Sequence, residues 1–225
     1  MKLLRILSTI GLATAALALS SCDLQMGGSG LSAYHAYDRP ATLPKNPSAV
    51  RVKVSLSKQR VYVMEGSTAL LVMPVSVGAP GTSTPSGSFT IFNKEAKHRA
   101  STHGYAYSGN QVKQTFLAKK PSGWSFKGTP MPYWCEFKAN YGFHTGWLKH
   151  HPCTHGCIRM HENLAPKFFK LVKVGTPVNI SYSQAEDSTL GNISLPPDSG
   201  PLPDYAGSMY TGDGYFTQHK TPSYQ

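Results

Sequence analysis

Acidic residues are scarce in this 225-residue chain, which has 11 Asp and Glu against 22 Lys and Arg. The resulting net charge of +11 favours an acidic partner: a nucleic acid, an anionic membrane or another anionic polymer. Dense basic clusters are also missing, and basic and aromatic residues are not interleaved on any one segment. A nucleic-acid partner is therefore not expected.

The sequence also lacks an apolar run long enough to span a bilayer comfortably. The apolar stretch at the start, residues 6–19, falls short of the required length. It follows Lys2 and Arg5 and leads into Leu19-Ser20-Ser21-Cys22, which is the layout of a secretory signal. We therefore predict a signal peptide over residues 1–21.

The cysteine that follows this cleavage site resembles the lipidated cysteine of a bacterial lipobox. The resemblance implies cleavage before Cys22, acylation of its thiol and new amino group, and an exported protein that a lipid anchors to a bacterial membrane. Several acyl chains give the firm anchoring that one chain cannot give. Ordinary cleavage nearby, with an incidental cysteine, is the alternative.

Cysteine is rare as well, with four residues in all. Without Cys22, three remain: Cys135, Cys153 and Cys157. An odd number in an exported chain indicates a free thiol, which could be reactive. The other two cysteines could pair in an oxidising compartment.

The composition divides the mature chain into three parts. Residues 22–48 are rich in Gly, Ser, Pro and Ala, which predicts a flexible tether after the lipidated cysteine. Residues 49–182 have the apolar patterns of a folded domain. Residues 183–225 are rich in Pro, Gly, Ser, Asp and Tyr without periodicity, which predicts a disordered tail.

Short apolar patterns within the folded part predict strands rather than alternating strands and helices. The predicted strands cover residues 50–56, 60–64, 69–77, 88–92 and 176–182. Close-spaced strands with turn signals between them indicate a sheet or sandwich.

One helix is predicted before the last strand. Leu164, Phe168 and Leu171 fall on one apolar stripe at helical spacing. Asn163 is a suitable N-cap, and Gly175 ends the pattern.

The densest chemical segment is His144–Met160, which holds Cys157 together with four histidines and an arginine. A thiol is a nucleophile only as the thiolate, so it needs a nearby base or positive charge. Gly156 permits a tight backbone path that can aim consecutive N–H groups at a developing oxyanion.

Two other interpretations of this segment remain open. The four side chains of His144, Cys153, His155 and Cys157 could hold a zinc ion. Alternatively, Cys153 and Cys157 could form a structural disulfide, with the histidines solvated.

The segment Thr154-His155-Gly156-Cys157-Ile158-Arg159-Met160 resembles the Ser/Thr-His-Gly-Cys signature of L,D-transpeptidases, the YkuD-type domain. The upstream Gly142-Phe143-His144 is similar to the segment that carries the second histidine of that family. The likeness runs over roughly residues 50–181 in several separate motifs. Further matching segments are Val75-Ser76-Val77-Gly78, Thr84-Pro85-Ser86-Gly87-Ser88-Phe89, Met131-Pro132-Tyr133-Trp134 and Val174-Gly175-Thr176-Pro177-Val178.

The resemblance implies a role for each matching residue. Cys157 is the nucleophile that becomes acylated, and His144 is the base that takes its proton. The backbone carbonyl of Thr145 orients the imidazole of His144.

Further roles follow from the same resemblance. The backbone N–H groups of His155, Gly156 and Cys157 form the oxyanion hole. For the His155 ring itself, we expect a role in bracing the loop, with a role as general base as the alternative. Arg159 holds the motif loop or meets a substrate carboxylate, and Tyr133 lines the substrate cleft.

Cys135 and Cys153 are not part of the general family pattern. They could form a disulfide that joins the substrate strand to the motif loop, or they could be free thiols. The geometry that a disulfide requires is not accessible from sequence.

The fold that the resemblance implies is a mostly β L,D-transpeptidase sandwich or barrel with a short helix after the cysteine motif. The implied reaction is acyl transfer from the stem peptides of peptidoglycan, with no metal or cofactor, by a protein that is expected to be a monomer facing the cell wall. An L,D-carboxypeptidase that uses water and a non-catalytic wall-binding lipoprotein are the alternatives.

The lipobox-like sequence predicts a membrane-bound mature protein that begins at Cys22. The change Cys22→Ala removes the thiol that accepts lipid, so the protein should be released or left unprocessed. Amino-terminal sequencing and metabolic fatty-acid labelling test this, with Cys153→Ala as the control that should keep its label. A mature amino terminus elsewhere, without lipid label, would contradict the prediction.

Overall fold

The computed structural model describes residues 26–225, with side chains from residue 30 onward. The predicted signal peptide and Cys22, the predicted site of lipidation, lie outside the described residues. Within the described part, no helix combines the length and the apolar character needed to cross a bilayer.

The described chain forms ten strands and three α-helices. In chain order these are α1 (Met26–Ala36), β1 (Val50–Ser55), β2 (Arg60–Glu65), β3 (Thr68–Ser76), β4 (Gly87–Thr90), β5 (Asn93–Ser108), β6 (Gln111–Phe116), β7 (Ser125–Lys138), β8 (Tyr141–Thr145), β9 (Ile158–Met160), α2 (Ala165–Leu171), β10 (Pro177–Ser181) and α3 (Gly207–Thr211). Short 3₁₀ turns cover Pro47–Ala49, Leu117–Lys119, Ala185–Asp187 and Gly214–Thr217.

The ten strands follow the order β4-β10-β1-β2-β3-β9-β8-β7-β5-β6 in one continuous hydrogen-bonded sheet. Two neighbouring pairs are parallel, β1 with β10 and β8 with β9, and the others are antiparallel. The mostly β fold and the short helix after the cysteine motif are confirmed.

In β1 and β10, alternating apolar residues share one buried face, whereas β2 and β3 are buried along most of their length. In β1, Val52 and Val54 are buried, whereas Arg51 is exposed. Apolar side chains of β2, β3, β8, β9, β10 and α2 complete the same core. Removing this apolar area from water is the main stabilising contribution to the fold.

The sequence patterns did not indicate β5, β6 and β7, which form the other end of the sheet. Residues 96–135, which we call the arm, lie in these strands and in the segments that join them. Most side chains of β5 and β6 are exposed or half-buried, so apolar alternation is absent there. The backbones of β5 and β7 instead lie so close together that glycine is required between them. A Cβ on Gly128 would lie 1.8 Å from the carbonyl oxygen of Ala100.

The predicted helix is α2, but Asn163 does not cap it. The Asn163 side-chain amide donates to the carbonyls of His35 and Tyr37, each at 2.8 Å. Its oxygen accepts the N–H of Lys220 at 2.7 Å. This side chain therefore joins the chain before β1 to the chain after β10.

The predicted flexible tether over residues 22–48 is corrected for its described part. Tyr34 is buried, and its hydroxyl accepts the N–H of Leu148 at 3.0 Å. The buried Lys167 ammonium lies 2.8 Å from the nearer carboxylate oxygen of Asp38. Composition indicated flexibility, but one buried aromatic ring and one shielded ion pair hold the segment to the domain.

The prediction of a disordered tail over residues 183–225 is also corrected. Tyr210, Tyr215 and Phe216 are buried, and the Tyr210 ring stacks on Tyr105 of β5 with centroids 4.6 Å apart. Aromatic side chains bury large areas without needing a periodic pattern. The tail is therefore ordered by a few aromatic anchors that hydrophobic periodicity does not reveal.

Arg99 on β5 holds this segment through several contacts at once. Its guanidinium donates to the carbonyls of Tyr210 at 2.8 Å and Gly212 at 2.5 Å. It also lies over the ring of Phe216, 4.9 Å from the centroid, and 3.6 Å from the carboxylate of Asp213. A planar guanidinium can satisfy these partners together, whereas an ammonium cannot.

Replacing Arg99 should loosen residues 204–217 from the sheet. We expect Arg99→Ala to cost about 2 kcal/mol from the lost charged hydrogen bonds, and so to lower Tm by roughly 4–8 °C for a chain of this size. Limited proteolysis should cleave this segment faster than in the unchanged protein.

The control for this experiment is Arg51→Ala, which removes an exposed arginine from β1. It should leave both the Tm and the cleavage pattern close to those of the unchanged protein. Equal resistance of the Arg99→Ala tail to protease would contradict the proposed clamp.

Candidate active site

The parallel pairing of β8 with β9 brings the two halves of the cysteine motif together. In this register His144 lies opposite Arg159, and Phe143 lies opposite Ile158. Cys157 directly precedes β9, so it lies beside Gly142 at the start of β8. Phe143 and Ile158 are fully buried, and their packing fixes the register.

The Cys157 thiol is half-buried between the motif loop and the turn that joins β7 to β8. Its sulfur lies 3.7 Å from the carbonyl oxygen of Asn140. Burial raises the pKa of the Cys157 thiol, while the backbone N–H of Gly142 and the positive charge of Arg159 act in the opposite direction. The net shift is upward, which keeps the free thiol protonated at neutral pH.

His144 is buried, and its Nδ1 lies 2.8 Å from the carbonyl oxygen of Thr145. This is the contact that the family resemblance implies. A carbonyl accepts hydrogen bonds only, so Nδ1 carries the proton and Nε2 presents a lone pair. Burial, assisted by the charge of Arg159, lowers the pKa of His144 to about 3, so the ring is neutral at physiological pH.

Arg159 brings a positive charge close to both Cys157 and His144. Its Nη1 is 3.9 Å from the sulfur of Cys153, and its aliphatic part covers Gly146, where a Cβ would come within 3.0 Å. None of the ion pairs among residues 26–225 includes Arg159. The positive charge near Cys157 and His144 is therefore not neutralised by a carboxylate.

The motif loop is held by the buried side chain of Thr154. Its hydroxyl donates to the carbonyl of Cys157 at 2.6 Å and accepts the N–H of Gly156 at 3.1 Å. Gly156 has a φ of 108°, and a Cβ there would come within 2.5 Å of the Tyr141 ring. Only glycine fits this position without displacing the loop.

This geometry corrects one part of the predicted oxyanion hole. The N–H of Gly156 already donates to Thr154, so it is not free to bind an oxyanion. Among the residues that the structure describes, the N–H groups of His155 and Cys157 have no hydrogen-bond acceptor. These two groups remain the candidate donors.

The imidazole of His155 does not brace its own loop. It is exposed and stacks on the ring of His103 in β5, with centroids 5.5 Å apart. Its ring forms no hydrogen bond with the part of the chain that is described here. The contact connects the motif loop to the arm instead.

Tyr133, predicted to line the cleft, belongs to a different cluster. Its hydroxyl lies 2.7 Å from Nε2 of His219, and its ring packs edge-on against Phe169 of α2. The backbone of Tyr133 has a positive φ of 58°. Sequence alternation alone does not reveal which way a side chain points at such an irregular position.

The aromatic residue beside the candidate base is Trp134, which the sequence reasoning did not select. Its ring centroid lies 6.2 Å from that of His144, and the ring of His98 stacks on the same indole with centroids 4.7 Å apart. A Cβ on Gly142 would come within 2.6 Å of the indole. Gly142, directly before Phe143-His144, was the sequence signal for a bulky neighbour at this point, because a position without a side chain often has another group packed against it.

Cys135 and Cys153 are both free thiols, which corrects the possible disulfide between them. Cys135 is fully buried in the core, and burial raises its pKa to about 12. Cys153 is half-exposed beside Arg159. The core position of Cys135 on β7 is set by strand register, which the sequence alone does not give.

The zinc interpretation depended on convergence of four side chains. In residues 26–225, no three His, Cys, Asp or Glu side chains are grouped so that they could hold a metal ion. The motif residues are placed instead as a thiol, an oriented imidazole and a guanidinium.

Comparison with protein families identifies residues 49–180 as an L,D-transpeptidase catalytic domain of the YkuD type. This range lies close to the folded part expected from the sequence. A comparison with curated proteins gave no match.

Solved structures of L,D-transpeptidases are similar to this chain at low identity. One from Stackebrandtia nassauensis is 22% identical, with 64% of this chain and 60% of that chain covered and a TM-score of 0.43. L,D-transpeptidase 3 from Mycobacterium tuberculosis is 21% identical, with 59% and 61% covered and a TM-score of 0.46. An L,D-transpeptidase solved in complex with imipenem is 22% identical, with 59% of each chain covered and a TM-score of 0.46.

This chain spans about 60% of the length of the first of these structures. The family match, by contrast, covers more than half of the present chain and includes both His144 and Cys157. The chain therefore belongs to the L,D-transpeptidase family, with a catalytic domain of the YkuD type.

Proposed function

We propose that this protein is a peptidoglycan L,D-transpeptidase with Cys157 as its nucleophile. The thiol attacks the carbonyl before the terminal D-Ala of a stem tetrapeptide and forms a thioester. An amine of a second stem, or of another acceptor, then takes the acyl group. The observation that carries this proposal is the parallel register of β8 and β9, which brings the partly exposed Cys157 next to the strand that carries the buried His144, whose Nδ1 is fixed by the Thr145 carbonyl.

His144 is suited to act as the base because only one of its nitrogens is free. The bond from Nδ1–H to Thr145 leaves Nε2 as the proton acceptor. An imidazole that is already neutral needs no prior deprotonation. Proton transfer from a positioned thiol to this nitrogen is general base catalysis.

The raised pKa of Cys157 and the lowered pKa of His144 both favour a neutral thiol and a neutral ring before substrate binds. We infer that the proton moves to His144 as the sulfur attacks. The carbon–sulfur bond forms, the peptide bond to D-Ala breaks, and the proton passes from His144 to the departing amine. Both groups are neutral again once the thioester has formed.

Arg159 affects the two partners in opposite ways. Its positive charge lowers the pKa of Cys157 and so favours the thiolate, but it also disfavours the imidazolium of His144. An incoming substrate carboxylate would neutralise this charge. Such a carboxylate would make His144 a stronger base at the moment when substrate is bound.

The tetrahedral intermediate carries a negative oxygen that requires hydrogen-bond donors. The unoccupied N–H groups of His155 and Cys157 are the candidates. Thr154 supports them indirectly, since its two hydrogen bonds hold the loop on either side of Gly156. Preorganised backbone donors of this kind stabilise the transition state without reorganisation during the reaction.

The first test uses imipenem and purified stem tetrapeptides. Imipenem should add its mass to the protein because its lactam acylates the same thiol, and muropeptide mass spectrometry should show a loss of D-Ala with a cross-linked product. Cys157→Ser should abolish both signals while Tm stays unchanged. The matched control is Cys153→Ser, which should keep the adduct.

An adduct that persists in Cys157→Ser would rule out this thiol as the nucleophile. The product spectrum separates the acceptors. A tripeptide without cross-link would identify a carboxypeptidase that uses water, and an unchanged tetrapeptide would indicate a wall-binding protein without activity.

The second test separates the two histidines of the motif. His144→Gln keeps a hydrogen-bonding side chain but has no basic nitrogen, so acylation by imipenem should slow by about 100-fold or more. His155→Gln changes an exposed ring, so the acylation rate should stay within severalfold and Tm should hardly move. Stopped-flow acylation and thermal melts measure these effects. A near-normal rate for His144→Gln, or an inactive but stable His155→Gln, would reverse the assignment.

A further inference from the structure

The positive charge of this protein is concentrated in the arm. Between Glu95 and Glu136 the chain has no acidic residue at all, but it has six basic ones. They are Lys97, Arg99, Lys113, Lys119, Lys120 and Lys127. The arm thus carries a net charge of +6 out of +11 for the whole chain.

Within residues 26–225, five of these six charges have no carboxylate partner. Arg99 faces Asp213 at 3.6 Å, but none of the five arm lysines takes part in an ion pair within residues 26–225. Lys97, Lys113 and Lys119 are exposed. Unpaired charges of one sign on one structural unit create a local field that attracts anions.

The arm is connected to the candidate nucleophile by a row of rings. Phe116 at the end of β6 packs on His103 of β5 with centroids 4.1 Å apart, and His103 stacks on His155 at 5.5 Å. His155 is two residues before Cys157. A chain bound along this row would therefore reach the motif loop that carries the thiol.

The strand register places a cation on the same face as this row. Residues directly opposite each other in paired strands point to the same side of the sheet. His103 lies opposite Phe116, and Tyr105, two residues further along β5, lies opposite Lys127 of β7. The face that meets the motif loop thus carries Lys127 as well as the row of rings. Tyr210 covers the part of this face that Tyr105 occupies.

We propose that the arm binds the anionic peptidoglycan strand that carries the stem peptide, and so presents this peptide to Cys157. This inference rests on the proposed function, because it assigns the arm to the same substrate. Charge complementarity supports it: stem peptides carry free carboxylates, and the five lysines of the arm have no carboxylate partner within residues 26–225. Neighbouring exposed rings provide contact area that does not depend on charge.

A lipid surface fits the arm less well than an acidic polymer. Insertion into a bilayer interface requires a continuous apolar face. Phe116 and Leu117, 45% and 47% exposed, are the large apolar side chains that the arm leaves exposed. Two such side chains fall short of that requirement.

The test measures binding of the full mature chain with Cys157→Ala, which removes turnover, to purified peptidoglycan sacculi by co-sedimentation. The arm variant carries Lys97→Gln, Lys119→Gln and Lys127→Gln. The control variant carries Lys58→Gln, Lys170→Gln and Lys173→Gln, which are exposed lysines outside the arm, so both variants lose the same charge. Thermal melts check that both fold.

We expect the arm variant to bind sacculi about tenfold more weakly than its parent, with a smaller loss of affinity between low and high salt. The control variant should bind like the parent. Equal weakening in both variants would show that net charge alone explains the effect, and it would overturn the proposal. Unchanged binding by the arm variant would overturn it as well.

Vesicles of phosphatidylglycerol and phosphatidylcholine in equal parts provide the competing partner. Loss of vesicle binding in the arm variant, with sacculus binding retained, would make the arm a membrane-binding surface and contradict the proposal. Failure of the proposed function has a different signature. In that case imipenem leaves Cys157 unmodified in the unchanged protein, whatever the arm binds.

Discussion

The candidate site depends on the parallel register between β8 and β9. That pairing sets His144 against Arg159 and places Cys157 beside Gly142. A shift by one residue would turn every side chain of β9 to the other face and separate the thiol from the imidazole. The register is protected because Phe143 and Ile158 are fully buried at adjacent positions of the same pair. The hydrophobic core and the chemistry therefore share one constraint, and substitutions that disturb this packing should affect both together.

Around this constraint, the chain ends act as supports for the domain. Asn163 bonds to backbone groups of the segment before β1 and of the segment after β10. Arg99 draws residues 204–217 over β5, and buried Tyr215 of that segment lies close enough to Arg159 for the guanidinium to lower its pKa against the effect of burial. The surroundings of the candidate site thus include residues from outside the segment that the family match covers, which ends at residue 180.

The sequence was sufficient where chemistry is local and insufficient where it depends on long-range packing. The motif around Cys157 and the contact between His144 and Thr145 are short-range, and the alternating valines of β1 bury one face. The strands of the arm were not predicted because pairing with each other holds them together, and they have no apolar stripe that the sequence could reveal. The sequence predicted Tyr133 in the cleft, but Trp134 is the aromatic residue beside His144. The positive φ of Tyr133, which the sequence does not reveal, affects which of the two side chains faces the site. The predicted oxyanion donor of Gly156 is its backbone N–H, which donates to the Thr154 hydroxyl instead. No sequence pattern encodes the Thr154 rotamer that makes this bond possible.

The position of α1 determines how far the domain can lie from an anchor at the start of the mature chain. The helix begins at Met26, and Tyr34 fixes it to the domain. From Cys22 to Met26 the covalent chain can span at most ~14 Å, against ~90 Å for an unfolded connection of the 28 residues that lead to Val50. A lipid on Cys22 would therefore hold the domain close to the bilayer through a short connection. Its working zone would be the layer of wall nearest the membrane, approached in a restricted range of orientations.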